Sequence, residues 1–473
     1  MSWDSSRVVL TQNPDGCVSN LATPCLQSAI VQLQNSSGTN LTTAGVTVTI
    51  VSTSSGTLGG TLTATTNSSG SATFSNFWIT GTSTGANVTL TFETPGYRNA
   101  QATVQMRQFA ETLNIVAGST DTSGSFFGTT GIWLATASTS SISATTLQSQ
   151  IAIRDVTLRA HSTSNLLGNI DINATANVQA SASATRTLNL LASRNVLVNT
   201  GAQIASTTQP LNVIITTNTD SSAGGMVWIG GSTTNYAFDT NGGHFVIGGS
   251  SSTTTWNGLT VPSGHATGVR DTTGSWWGIE FATNTNTANL LLIRTSGGDM
   301  RLFGAADAGS TTLPSALYGI AWESGRVDLG SGNLTMNGLT FGSPSPASGD
   351  NWAVGIGVNN GSTNDKPVLV TTGTATATGS VGTPGSSNFW SAAIGYSDIT
   401  TGSGGFNVSA NQRAIAWNGN TFRSPLNMTA NTVQLTGSNT LQDNVSLTAT
   451  AGDAIVGGNQ TVTGSGKSLV AKA

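Results

Sequence analysis

The feature that most constrains this chain is a pair of aliphatic side chains separated by one residue, recurring from about residue 150 to the C-terminus. Examples are Ile151/Ile153, Val156/Leu158, Ile170/Ile172, Leu188/Leu190, Val196/Val198, Val213/Ile215, Val227/Ile229, Phe245/Ile247, Leu291/Ile293, Met300/Leu302, Val327/Leu329 and Leu334/Met336. Two apolar residues flanking one other residue share one face of an extended strand. Each such strand is too short to bury that face alone, so it must stack on others. Near the C-terminus the spacing becomes regular. Leu426/Met428 recurs at Val445/Leu447, 19 residues on, Leu469 follows Leu447 by 22, and Val433/Leu435 lies between. Short strands returning every twenty residues or so mark a stacked β-solenoid.

The pattern predicts an all-β chain: a long right-handed parallel β-helix over residues 108–473, with irregular, loop-bearing coils at about 250–400. There an aromatic–Gly–Ile element recurs, as in Trp276-Trp-Gly-Ile, Tyr318-Gly-Ile, Trp352-Ala-Val-Gly-Ile and Phe389-Trp-Ser-Ala-Ala-Ile. No helix of useful length is expected. Residues 1–107 differ. Candidate strands Val8–Thr11, Ala29–Gln34, Val46–Val51, Thr61–Thr65, Ala72–Ile79, Val88–Phe92 and Ala102–Met106 alternate apolar and polar residues between Gly-containing turns. Seven short strands at this spacing predict an immunoglobulin-like sandwich.

Composition narrows the partners. Only 8% of residues are charged, and Ser, Thr, Asn and Gly make up nearly half the chain. The surface is therefore one of hydroxyls and amides. Net charge is −4 with no basic block, so nothing draws a nucleic-acid backbone. No apolar run approaches the roughly 18 residues of a membrane helix, so direct membrane insertion is not expected. Cys17 and Cys25 lie in one turn-rich segment and are expected to form a disulfide, which implies an oxidising, extracellular setting.

Two resemblances add to this. Val31-Gln-Leu-Gln-Asn-Ser-Ser-Gly, Thr66-Asn-Ser-Ser-Gly-Ser-Ala-Thr-Phe and Leu90-Thr-Phe-Glu-Thr-Pro-Gly-Tyr resemble bacterial Ig-like modules of invasin- and intimin-type adhesins. Ile170-Asp-Ile-Asn-Ala-Thr-Ala, Gly330-Ser-Gly-Asn-Leu-Thr-Met-Asn-Gly and Leu435-Thr-Gly-Ser-Asn-Thr-Leu resemble the rungs of filamentous haemagglutinin-type exoproteins. The resemblance implies a secreted, cell-surface protein that displays a binding surface on a rigid solenoid, towards a host or neighbouring-cell glycan or protein. The alternatives are a subunit assembling end to end with its own copies, and a carbohydrate-binding or, less so, carbohydrate-cleaving module.

Chemistry for catalysis is sparse, and the chain is not expected to be an enzyme. Acid–base or nucleophilic work needs titratable groups held close together. The three histidines are far apart in sequence: His244 reads as a turn residue, His161 and His265 as loop residues. Arg270-Asp271 with Glu280 reads as a local ion pair beside a loop. No zinc or calcium motif occurs, so neither metal nor cofactor is expected. The residues most open to ligand binding are Trp276, Trp277 and Trp390, whose indoles stack on a sugar ring or partner surface if the irregular coils expose them. The last rung-like segment, Gly464–Ala473, reads as an edge on which more chain or another subunit would stack.

Overall fold

A computed structural model describes residues 6–14, 27–52, 56–80, 85–127, 130–162, 167–220, 224–232, 234–268, 276–281, 290–307, 317–341, 351–357, 366–382, 389–463 and 465–473. Cys17 and Cys25 lie outside them. The chain divides into two compact units, Met1–Glu111 with Asp121–Ser141, and Thr112–Thr120 with Ile142–Ala473.

The first unit is an antiparallel β-sandwich. Its strands are β1 (Arg7–Gln12), β2 (Gln27–Gln34), β3 (Thr47–Ser52), β4 (Thr57–Gly60), β5 (Thr63–Thr65), β6 (Ser71–Thr80), β7 (Asn87–Glu93) and β8 (Ala100–Gln105). They form two sheets in the orders β1-β2-β6-β4 and β5-β3-β7-β8. Alternation buries Val31, Leu33, Ile50, Phe74, Phe77, Leu90 and Phe92 between the sheets. Among the described residues these two sheets hold eight strands, one more than the pattern predicts. The addition is β4, Thr-Leu-Gly-Gly, which falls between the candidate strands Val46–Val51 and Thr61–Thr65. Its glycines lie under the Trp78 ring, and a Cβ on Gly59 would meet Trp78 Nε1 at 2.5 Å.

The second unit is a parallel β-helix with three sheets, here called faces A, B and C, which the chain visits in that order. Face A carries two inward columns of side chains that run unbroken through eleven strands. One passes through Val156, Leu188, Val213, Phe245, Met300, Leu334, Ala375, Phe406, Leu426, Val445 and Leu469. The other passes through Leu158, Leu190, Ile215, Ile247, Leu302, Met336, Ala377, Val408, Met428, Leu447 and Ala471. These are the aliphatic pairs of the sequence, in register. Two pairs depart from it. Leu291 and Ile293 are separated by a β-bulge, so only Ile293 pairs with the inward Val327. Ile151 and Ile153 are not in a strand at all.

They belong to α1 (Ala144–Ile153), a ten-residue helix where no helix of useful length was expected. Ser143 caps it, its Oγ accepting from the Thr146 backbone N–H at 3.2 Å. Ala144, Leu147 and Ile151 share the buried side, whereas Ile153 is 57% exposed. The helix packs against Asn177–Ala180, the first strand of face C. There the Gln148 side chain accepts from the edge N–H of Gln179 at 3.3 Å, so α1 covers the start of that sheet.

Buried amides tie the late coils together. Asn420 Nδ2 donates to Asn439 Oδ1 at 2.9 Å, and Asn439 Nδ2 donates to Gln460 Oε1 at 3.1 Å. The final coil is open to solvent. Val456 and Val462 continue the inward positions of Leu435 and Leu441, yet are 42% and 43% exposed.

Beyond the three-sided core, faces A and B approach each other at backbone distance. A Cβ on Gly304 would sit 2.2 Å from the Gly319 carbonyl oxygen, and one on Gly338 would sit 1.8 Å from that of Ala353. No side chain fits at Gly304 or Gly338. Gly338→Ala should therefore destabilise the protein by about 2–3 kcal/mol in chemical denaturation, through overpacking against backbone that cannot move aside. An unchanged unfolding midpoint would show that the two sheets can part.

Candidate binding surfaces of the solenoid

The aromatic–Gly–Ile element makes a ladder on the outside of face B. Strands Trp276–Phe281, Leu317–Trp322, Asn351–Ile356 and Phe389–Ile394 place Trp277, Tyr318, Trp352 and Trp390 in successive register. In the first two, a Gly and the Ile after it both turn inward. Cβ atoms on Gly278 and Gly319 would meet the backbones of Ala305 and Leu339, and Ile279 and Ile320 are fully buried. The aromatic residue before the Gly is left on the outer side.

There the ladder packs largely upon itself. Trp277 and Tyr318 stack with centroids 6.4 Å apart, and Tyr318 and Trp352 tilt together at 5.1 Å. Trp417 meets Trp352 edge-on at 5.8 Å. Tyr318 and Trp352 are 3% and 1% exposed, so their faces are already occupied. Trp277 and Trp390 are half-buried, and the Arg413 guanidinium lies 5.6 Å from the Trp390 ring centre. The Trp276 side chain lies outside the described residues.

Glu280 shares this outer surface, in register between Trp228 and Ala321. Arg270 and Asp271 lie outside the described residues. The charged group acting on Glu280 is another carboxylate, Glu323. Burial first, and repulsion from Glu323 second, push the Glu280 carboxyl up to about 8. At neutral pH it is therefore a neutral acid and a hydrogen-bond donor.

The histidines are structural neighbours of face A. His161 directly follows strand Val156–Ala160 and is buried. His244 Nδ1 accepts from the Asp299 backbone N–H at 3.0 Å, joining consecutive coils. His265 stacks on Phe303 at 5.3 Å, and burial lowers its pKa below the usual histidine range.

A polar concavity lies on the outside of face C, a groove of about 620 Å³. One outward column, Gln179–Ala205–Asp239–Arg294–Asp328, runs along it and beyond. Ala205 is the small residue of that column and forms part of the groove lining. Tyr236 forms one wall. The Arg294 guanidinium lies 5.0 Å from its ring centre, and its hydroxyl accepts from Arg326 Nε at 3.2 Å. Arg294 is held by Asp239 through Nε at 3.0 Å and through Nη2, and Arg326 by Asp328 at 3.0 Å. Sequence reading missed this group because its members meet across long stretches of chain, Tyr236 and Arg326 being 90 residues apart. The available signal was Asp239, Arg294 and Asp328, each directly following an inward Phe238, Ile293 or Val327.

Among the described residues no three His, Cys, Asp or Glu side chains gather where they could hold a metal ion. Nor is any helix there long and apolar enough to cross a membrane. No known family matches the chain, and no curated protein matches it.

Proposed function

We propose that this chain is an extracellular structural protein of the adhesive kind, made of an Ig-like sandwich and a stiff β-solenoid that displays binding surfaces. The observation that carries this reading is the unbroken eleven-strand ladder of face A, a rod-like element on which coils of very different length are carried without loss of register. The hydroxyl- and amide-rich surface and the resemblance to adhesin Ig-like modules and haemagglutinin-type rungs support it. Beads coated with the purified chain should be retained under flow on bacterial or epithelial cells, or on immobilised polysaccharide. Release from all three surfaces at the rate of bare beads would overturn the reading.

The extracellular setting makes a separate prediction. A Cys17–Cys25 disulfide predicts that unreduced, denatured protein shows no free thiol. Two titratable thiols would refute the bond.

End-to-end assembly is a second reading, favoured by the exposed inward positions Val456 and Val462 of the final coil. Light scattering across a concentration series should then show association that Val462→Lys abolishes. A particle mass independent of concentration would exclude it.

A further inference from the structure

We propose that the groove on face C is a binding site for a neutral oligosaccharide. This rests on the display reading and names what one displayed surface would hold. The ligand class follows from the groove's chemistry. Its charges are closed internally, Arg294 on Asp239 and, alongside, Arg326 on Asp328, so it offers no net charge to an anionic or cationic ligand. What remains is amide, with the hydroxyls of Ser206, Thr207 and Thr234. Asn177, Gln179, Gln203 and Asn235 line the groove. Only the Asn177 oxygen, the Gln179 nitrogen and the Gln203 nitrogen take part in side-chain hydrogen bonds among the described residues, at 2.7 Å between Asn177 and Gln179 and 3.3 Å from Gln203 to Ser232. The groove thus retains both donors and acceptors, and a sugar hydroxyl, being both at once, pairs with either.

The wall supplies the apolar half of the match. Tyr236 is fixed by Arg294 at its ring and Arg326 at its hydroxyl, so its orientation is set before any ligand arrives. A held aromatic ring beside convergent amides suits a pyranose, which has an apolar C–H face and a polar rim. Size and shape agree. The volume of 620 Å³ falls within the range of small-ligand sites. The lining extends from Asn177 across three strand-to-strand steps to Arg294, roughly 14 Å, so the occupant is a chain of sugars rather than one ring.

The test is calorimetric titration of the full chain with maltohexaose, cellohexaose, mannohexaose and chitohexaose, with hexagalacturonate as the anionic member. At least one neutral hexamer should bind, and more tightly than hexagalacturonate. Ala205→Trp, which fills the groove from an outward position, should weaken binding at least tenfold, as should Tyr236→Ala. Trp277→Ala on face B should leave it unchanged. Should Ala205→Trp fail to fold, Tyr236→Ala and Asn235→Ala decide. No binding by any neutral hexamer, preference for the anionic one, or affinity that survives both substitutions would overturn the proposal. Bead retention separates the two readings. Retention that Ala205→Trp does not alter removes the groove and leaves display standing, whereas no retention at all removes display itself.

Discussion

The stability of the protein should fall as pH rises from 5 to 8.5, and Glu280→Gln should remove much of that fall. Burial and Glu323 raise the Glu280 carboxyl to about 8, against an ordinary value of 4.5. Below 4.5 the group is protonated in both folded and unfolded chains, and its neutral form is fully accommodated. Between 4.5 and about 8 the folded chain holds a proton that the unfolded chain has lost, so each pH unit removes up to about 1.4 kcal/mol. Over the whole window the loss is on the order of 5 kcal/mol. Glutamine keeps the shape and the neutral polar head, so the variant should match the parent near pH 5 and exceed it above pH 8. Denaturant unfolding at half-unit pH steps checks this. Parallel curves for the two proteins would mean that the carboxyl ionises without penalty.

A second large effect is expected from Val433→Asp. Val433 is fully buried in strand Thr432–Leu435, in register between Ala414 and Ala454. A carboxylate there would enter the aliphatic interior with no cation opposite it, a cost on the order of 4 kcal/mol. Gln434→Asp, one residue away on the outer side, should change stability by less than about 0.5 kcal/mol. Because each coil touches only its neighbours, the damage should be local. Hydrogen exchange should accelerate from about Arg413 onward while strands such as Val156–Ala160 stay protected. Equal stability of the two aspartate variants would mean that the inward and outward assignments are wrong.

The core was largely legible in the sequence because burial in a β-helix is written locally. An apolar residue, one spacer and a second apolar residue suffice to say which side of a strand faces in, and ten of the twelve quoted pairs do so. Helix α1 was hidden by the same code. Ala-Thr-Thr-Leu-Gln-Ser-Gln-Ile-Ala-Ile is rich in β-branched residues and ends on Ile151/Ile153, which mimics a strand pair. Only the cap at Ser143 and the Ala144, Leu147, Ile151 spacing argue for a helix. The aromatic–Gly–Ile recurrence was visible, but its meaning depends on two successive residues both facing inward, which breaks the alternation on which such readings rely. The face C groove was invisible for a different reason. Its residues meet only because coils of unequal length return to one column, and no local pattern carries coil length.

That last point has an engineering consequence. Nineteen residues separate Leu426 from Val445 and 55 separate His244 from the Asp299 it bonds, yet both excursions come back to the same ladder. Chain length between ladder positions is therefore a free variable, decoupled from the core. Insertions between ladder positions are cassettes in this sense. Foreign peptides spliced there would be presented in a row at the spacing of successive coils, making the rod a ruler along which epitopes can be placed a few ångströms apart.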